Sequence, residues 1–316
     1  MYKLISDGGC DFTPAEAKQH NVDIVPFYVC FENETHLKEG VDITREEYFN
    51  RLLNDKTLFP KTSQPSPQDY IDVFTPHLAA GHDILILTIS SKLSGSHNSA
   101  SLAADQMQEE FPNRKIVLLD SLNVTIGQAL ILREIIKMRN AGFSLEETAL
   151  RAKDVIKSTH LYCTLDSLEY LKRGGRVGPT TALVGGILGL RPILYVKDGE
   201  VTQAESVRGK KRALKMMEEA IIHTLKSEQQ SIALSIGHIM SGDEAESFKT
   251  NTETALGTKI ENPIAEVGVT IGTHAGPGAI AFAYCKKYEY LGTSDQQAQQ
   301  TAQQSSKIQQ PKGVSA

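Results

Sequence analysis

The 316-residue, 34.6-kDa chain is 40% hydrophobic and 22% charged, a composition typical of soluble globular proteins rather than disordered or fibrous ones. Its formal charge of −5 and its pI near 6.0 argue against a nucleic-acid partner, which would require a basic face. The four cysteines lie far apart and form no C-x-x-C pair, so we expect no zinc ribbon, redox motif or disulfide framework.

Neither end of the sequence predicts a membrane segment. The N-terminus reads MYKLISDGG and no apolar run approaches 18 residues, so we expect no signal peptide and no transmembrane helix. This favours a reducing, cytoplasmic location. At the other end, residues 292–316 contain eight glutamines and no aromatic residue, which predicts a disordered Gln-rich tail.

Strand-length apolar runs alternate with helical patterns through the first half of the chain. The run DILILTI is continuously hydrophobic, as in an inner strand of a parallel sheet. Thr44 followed by Glu47 forms a capping-box pattern, and Pro67 suits the first turn of a helix. We therefore predict a Rossmann-like α/β domain with a largely parallel sheet over residues 1–158. The predicted strands are 2–6, 23–31, 83–89 and 115–120, and the predicted helices are 44–54, 67–81, 96–111, 124–141 and 144–157.

The pattern changes after residue 158. Asp198-Gly199 lies between two runs of strand residues and predicts a β-hairpin. The mixture of strands and helices favours a second domain of α+β class over residues 159–291, a typical domain size. Its predicted strands are 160–165, 191–207, 231–239 and 265–272, and its predicted helices are 208–226 and 242–256.

Two polar segments lie where α/β proteins bind ligands. TISSKLSGSHNSA (88–100) follows the carboxyl end of the buried strand and begins the next helix, whose free N–H groups favour an anion. N-capping by Ser94 or Ser96 alone explains only part of this serine-rich stretch. KTSQPSP (61–67) places Thr62 on backbone that two prolines restrict, which suits either a stiff turn or a preformed ligand site.

Three further segments are ambiguous on local grounds. GTHAGPGAIAFAY (272–284) places His274 in a glycine-rich bend after a predicted strand, where a binding role and a structural role are equally supported. EYLKRGGRVGPTTALVGGILGLRPIL (169–194) is rich in small and aliphatic residues, which either pack backbone against backbone or line a channel. SDGGCDF (6–12) ends a strand with polar residues, so Asp7 either orients a loop or meets a ligand.

Strong catalytic signatures are absent from the sequence. We find no Walker-A loop, no G-x-G-x-x-G after the first strand, no G-x-S-x-G elbow, no H-E-x-x-H and no metal-spaced cluster. The sequence therefore predicts no cofactor and no metal.

Taken in order, SDGGCDF, KTSQPSP, SSKLSGSHNSA, LEYLKRGGRV, RPIL and THAGPGAIA resemble the DegV family of bacterial fatty-acid-binding proteins over residues 1–291. The resemblance implies two α/β domains with a long-chain fatty acid buried between them and the 272–284 loop returning to the ligand site. It also implies a non-enzymatic role as the acyl-binding subunit of a fatty acid kinase. A separate ATP-dependent kinase subunit would phosphorylate the carboxylate in phospholipid metabolism, with at most transient contact between this chain and a membrane surface.

Carried over by position, the resemblance implies that Thr62, Ser94 and His274 contact the fatty acid carboxylate, with Gly95 and Asn98 nearby. The prolines beside Thr62 would then hold it in place before the ligand arrives, which reduces the ordering cost of binding.

Two basic positions and two departures complete the resemblance. One departure, the final alanine of GPGAIA where glycine is common, affects only packing. Arg173 and Arg208 match positions linked to kinase docking or phosphate handling. Gly8 and Gly9 stand where the family usually carries serine or threonine, which weakens any ligand role for the loop after Asp7.

Two other functions compete with this interpretation. Ser94 as nucleophile and His274 as base would make an esterase or acyltransferase, although no third orienting group and no strained elbow are identifiable. A regulatory protein that binds partners through RGKKR (208–212) is the weakest alternative, because such runs are usually solvated helix faces.

Overall fold

The computed structural model describes residues 2–32, 35–55, 57–176 and 189–291. The predicted Gln-rich tail at 292–316 and part of the 169–194 segment lie outside the described residues. Within the described ranges, no helix has both the length and the hydrophobicity needed to cross a bilayer.

The strands are β1 (Tyr2–Asp7), β2 (Val22–Val25), β3 (Tyr28–Cys30), β4 (Leu37–Lys38), β5 (Lys61–Ser63), β6 (Asp83–Thr88), β7 (Ile116–Asp120), β8 (His160–Thr164), β9 (Leu190–Lys197), β10 (Glu200–Arg208), β11 (Ile232–His238), β12 (Ala265–Glu266) and β13 (Ile280–Lys286). The helices are α1 (Pro14–Gln19), α2 (Arg45–Asn54), α3 (Pro67–Ala79), α4 (Ser96–Glu110), α5 (Thr125–Asn140), α6 (Leu145–Lys157), α7 (Glu169–Gly174), α8 (Lys210–Leu225), α9 (Gly242–Leu256) and α10 (Val269–Ala275).

The first sheet is parallel throughout, with strand order β2-β1-β6-β7. The inner strand β6 is buried on both faces, as its continuous hydrophobicity predicts. The predicted helix starts are also confirmed, because Thr44 and Glu47 form a capping box before α2 and Pro67 is the first residue of α3. The predicted α/β class of the first half is therefore correct.

The second sheet is mixed and six-stranded, with order β10-β9-β8-β13-β11-β12. Its neighbouring strands are antiparallel except β11 and β12, which are parallel. The predicted hairpin at Asp198 and Gly199 joins β9 to β10, and both turn residues have positive φ, 50° and 85°. The strand-and-helix mixture predicted for 159–291 is confirmed.

Two predicted strands are wrong in detail. Residues 23–31 form two strands in different sheets, because Pro26 lacks the N–H that a continuous strand would pair. Residues 265–272 form only the short β12 and then begin α10, so His274 lies in the last turn of a helix rather than in a bend after a strand. Carboxylates distant in sequence bind the N–H groups at this helix start, a tertiary effect that propensity cannot reveal.

Helix α5 joins the two sheets. It packs against β13, β11 and β8 of the second sheet and against the 3-10 turn Gly8–Cys10 that follows β1. Most of its residues are buried, so it lacks a solvated face of the usual width. One hydrophobic cluster therefore contains side chains from both sheets, and the space between the sheets lies beside it.

Candidate functional site

A cavity of about 360 Å³ lies between the two sheets. This volume is within the range of small-molecule sites, and most lining side chains are apolar, as in such sites generally. Residues from both halves of the chain contribute to the wall. Examples are Phe27, Ile89, Leu93 and Val124 from the first half, and Leu161, Leu194, Val196 and Ile271 from the second.

Small residues on the second sheet help to leave this space open. Ala281 on β13 is paired with Cys163 on β8 and with Gly237 on β11, and all three line the cavity. Ala279, two residues earlier and on the same face, also lines it. Larger side chains at these positions would fill the volume between the sheets.

Thr62 and His274 meet at the polar end of the cavity. Thr62 Oγ1 lies 2.7 Å from His274 Nε2, across 212 residues of sequence. Strand β5 carries Thr62 and is held by pairing with β3, while helix α10 carries His274. Ser94 and Gln64 line the same cavity. Thr62, Ser94 and His274, for which the resemblance implies contact with a carboxylate, therefore all line one cavity, and two of them are in direct contact.

The segment after Thr62 is held by the start of α3 and by packing against Gly95. Ser66 and Asp69 form a capping box at the start of α3, and Pro67 is its first residue. The side chain of Gln64 packs against Gly95, where an added Cβ would lie only 2.3 Å from Gln64 Oε1. Gly95 therefore has a packing role against Gln64 that no local sequence pattern reveals.

Asp7 positions the loop that carries Ser94. Its carboxylate accepts the backbone N–H of Ile89 and the hydroxyl of Ser96, both within 3.1 Å. Ser94 Oγ in turn accepts the N–H of Ser96, so Ser94 takes part in the helix start while its own hydroxyl proton stays available to a ligand. Burial raises the pKa of Asp7, and its hydrogen bonds oppose that effect.

An outer cleft of about 780 Å³ begins where the cavity ends. The two spaces share Thr62, Ser63, Arg176 and His274 as lining residues. The cleft carries a net positive charge, because Lys61, Arg173 and Arg176 outnumber the one acidic lining residue, Glu32. A group held by Thr62 therefore faces an apolar cavity on one side and a basic cleft on the other.

The predicted site residues Arg173, Asn98 and Arg208 do not line the cavity. Arg173 lines the outer cleft, forms an ion pair with Glu169 at 2.6 Å and lies 3.5 Å above the Phe59 ring. Asn98 is exposed on α4 and lines neither the cavity nor the outer cleft. Arg208 is exposed at the end of β10 and also lines neither.

Arg176 lines both the cavity and the outer cleft, although no site role was predicted for it. Its guanidinium donates to the carbonyls of Leu93 and Gly174, which ties helix α7 to the loop before Ser94. Its only sequence signal was the basic turn KRGGR, which does not reveal those partners.

His274 is held in its neutral form. Burial and the charge of Arg176 lower its pKa from 6.5 to about 4. Its buried Nδ1 has no hydrogen-bond partner among the described residues. A neutral imidazole can orient the Thr62 hydroxyl without adding a charge to the cavity mouth.

We expect NMR titration of the ligand-free protein to show His274 protonating near pH 4. Because the unfolded chain takes up this proton near pH 6.5, His274 lowers the free energy of unfolding as the pH falls from about 6.5 to about 4. A carboxylate bound beside the ring should raise this pKa. His274→Gln should remove this contribution to the pH dependence, and a ring that protonates near pH 6.5 would contradict the assignment.

Gly174→Ala should move the imidazole of His274. An added Cβ would lie 2.1 Å from His274 Nδ1, so the ring must shift and its bond to Thr62 weakens. We expect about a fivefold loss of affinity for a carboxylate ligand, about 1 kcal/mol. In the His274→Ala background, Gly174→Ala should leave the affinity for the carboxylate ligand unchanged. A fivefold loss of affinity in that background as well would contradict this packing role.

Neither a metal-binding cluster nor a Ser94–His274 pair occurs among the described residues. They contain no group of three or more His, Cys, Asp or Glu side chains placed to hold a metal. Among them, no hydrogen bond joins Ser94 to His274: the imidazole Nε2 pairs with Thr62, and its Nδ1 has no partner. The nucleophile–base contact that the esterase alternative requires is therefore missing.

Comparisons with known proteins converge on one family. The family model described as "Uncharacterised protein, DegV family" matches residues 1–287. A DegV domain-containing protein of Clostridium acetobutylicum is 32% identical over 283 residues, 89% of this chain and 96% of the relative.

Two solved structures have the same fold. A stearic acid-binding protein from Eubacterium ventriosum has a TM-score of 0.88 and 33% identity, covering 92% of this chain and 100% of its own. A DegV family protein from Thermus thermophilus, described by its fatty acid binding, has a TM-score of 0.81 and 29% identity. The match covers 90% of this chain and 99% of that protein.

Proposed function

This chain belongs to the DegV family, and on that basis we propose that it binds a long-chain fatty acid in the apolar cavity with the carboxylate at Thr62, Ser94 and His274. It acts as a lipid-binding protein without its own catalysis or cofactor. The observation that carries the proposal is the hydrogen-bonded pair of Thr62 and His274 at the place where the apolar cavity meets the outer cleft.

The apolar chain supplies the affinity and the acid supplies the orientation. Burial of roughly 16 methylenes at about 0.8 kcal/mol each contributes on the order of 13 kcal/mol before binding costs. Hydrogen bonds to a charged group contribute about 1.5 to 3 kcal/mol each. Thr62 and Ser94 carry hydroxyl donors, so they would select an acid over an ester or alcohol of the same length.

Residues 1–158 and 159–291 form the two domains of this proposal, with the ligand between them. The division falls between α6 and β8, and each part contains one of the two larger sheets. Opening of the space between the sheets would admit the acyl chain.

The outer cleft supports a second step in the proposal. A carboxylate held at Thr62 is reachable from the basic cleft, where Lys61, Arg173 and Arg176 suit a phosphate. We propose that a separate ATP-dependent fatty acid kinase subunit docks there and forms the acyl phosphate, which enters phospholipid metabolism in the cytoplasm. The exposed Arg208 would contact that subunit rather than the ligand.

Binding is tested by isothermal titration calorimetry of the protein with stearic acid and, separately, with its methyl ester. We expect the acid to bind at least tenfold more tightly, since the ester cannot accept charge-assisted hydrogen bonds. Equal affinities, or no binding of the acid, would overturn the carboxylate site.

Presentation to a kinase is tested separately with the kinase subunit and ATP, by trapping acyl phosphate with hydroxylamine. Arg173→Ala should reduce the yield while leaving stearic acid affinity unchanged, because Arg173 lines the outer cleft and not the cavity. Lys172→Ala, at the neighbouring exposed position, is the matched control. Equal yields of acyl phosphate from wild type and Arg173→Ala would show that Arg173 takes no part in kinase docking or phosphate handling.

A further inference from the structure

Helix α10, which carries His274, has a sequence that disfavours a helix. Its seven residues read VTIGTHA, with four β-branched residues and one glycine. Such residues lower helix stability, and isolated helices of this length are unstable in water. The N-cap position is occupied by Gly268, which offers no side chain to bind the free N–H groups of the first turn. The helix therefore depends on contacts with other parts of the chain.

Two carboxylates from the first half of the chain supply contacts at the helix start. Glu39 accepts the backbone N–H groups of Val269 and Thr270, at 2.6 Å from Oε1 and 2.9 Å from Oε2. Asp11 accepts the N–H of Gly268 at 3.0 Å. Negative charge at this end also interacts favourably with the helix dipole. Glu39 binds two of these three N–H groups, one with each carboxylate oxygen.

The helix start leaves no spare room beside Glu39. A Cβ at Gly268 would lie only 2.3 Å from Glu39 Oε1 and 2.7 Å from Asp11 Oδ1, so glycine is needed for both carboxylates to reach the N–H groups. The backbone of Glu39 is held in turn, because its N–H donates to the carbonyl of Phe27, which lines the cavity. Glu39 therefore fixes the start of α10 relative to the cavity wall.

Helix α2 holds α10 from the side. The Tyr48 hydroxyl pairs with Thr273 Oγ1 at 2.7 Å, and Gly272 packs against the Phe49 ring. These contacts keep α10 close to α2, but they bind none of the N–H groups at its start. Because α10 has only about two turns, loosening of the first turn would also move His274 in the last.

We infer that Glu39 is a positioning residue for the carboxylate site: it binds the start of α10 and thereby holds the His274 imidazole against Thr62. Glu39 lines neither the cavity nor the outer cleft, so its effect passes through the helix. This inference rests on the proposed function. The contact joins the two halves of the chain, so the carboxylate site is complete only when they are closed over the ligand.

The test uses Glu39→Gln, which keeps the size of the side chain but replaces one acceptor oxygen by an NH2 group. By isothermal titration calorimetry, we expect the affinity for stearic acid to fall about tenfold and that for its methyl ester to change by less than about twofold. NMR titration of the ligand-free variant should show His274 protonating closer to pH 6.5 than to pH 4, because the displaced ring is less buried.

A second variant disturbs the same contact from the other side. Gly268→Ala leaves Glu39 intact but displaces its carboxylate, so it should reproduce the loss of acid affinity and the change in His274 protonation. Glu46→Gln, at an exposed position of α2, removes the same charge and is the matched control. It should behave as wild type in both measurements.

Removal of the imidazole shows whether Glu39 acts through it. In protein that already carries His274→Ala, Glu39→Gln should leave the affinity for stearic acid unchanged. A tenfold loss there as well would show that the inference is wrong. So would wild-type acid affinity and wild-type His274 protonation in both Glu39→Gln and Gly268→Ala. Failure of wild type to bind stearic acid would instead reject the proposed function, which the ligand-free NMR titration does not test.

Discussion

Ala281→Leu is expected to reduce affinity for acids of about 16 carbons or more by at least 100-fold. Ala281 lies on β13 between Cys163 and Gly237, all of which line the cavity. A leucine there would displace the acyl chain from the narrow space between the sheets. Excluding even four methylenes would cost about 3 kcal/mol, which corresponds to more than a 100-fold change in affinity. Calorimetry with palmitic or stearic acid measures the loss.

Ala283→Leu is the matched control for that variant. Ala283 lies on the same face of β13 but is fully buried and does not line the cavity. Overpacking at Ala283 should destabilise the protein by about 1 to 3 kcal/mol, whereas Ala281→Leu fills existing space and should leave thermal unfolding unchanged or raised. Full ligand affinity in Ala281→Leu would show that the acyl chain lies elsewhere.

Thr62→Val should reduce affinity for a long-chain acid by about 10- to 100-fold. The change removes the hydroxyl that lies 2.7 Å from His274 while keeping the side-chain shape, so a charged head group loses a donor. The affinity for the methyl ester of the same acid, which lacks the charge, should change little in Thr62→Val. The ratio of the two affinities is therefore the quantity to measure.

Thr62→Ser provides the control, since it retains the hydroxyl and should recover most of the selectivity. A parallel fall in the affinities for acid and ester would mean that Thr62 supports packing rather than carboxylate recognition. Binding of the acid at wild-type strength by Thr62→Val would exclude the proposed contact.

Local sequence patterns predict much of the scaffold that holds this site. The buried strand DILILTI, the capping box at Thr44 and Glu47 and the hairpin at Asp198-Gly199 are formed by residues close in sequence, so propensity and turn chemistry identify them. The polar segments around Thr62 and Ser94 were recognised because each directly precedes a helix. The resemblance to a family supplied the expectation that they share one ligand.

Contacts between distant residues explain what the sequence missed. Helix α10 begins where Asp11 and Glu39 accept the N–H groups of residues 268–270, so a segment that resembles a strand becomes a helix. Gly174 makes room for the imidazole of His274 across 100 residues, and no local pattern encodes that fit.

Lipid extraction from the recombinant protein, purified from bacterial cells without added fatty acid, tests the central claim most directly. Mass spectrometry of the extract, with protein quantified in parallel, should recover long-chain fatty acid in stoichiometric amount from wild type and far less from Ala281→Leu. Repeated preparations of wild type that contain no fatty acid, and that show no change in thermal unfolding when stearic acid is added, would contradict the account.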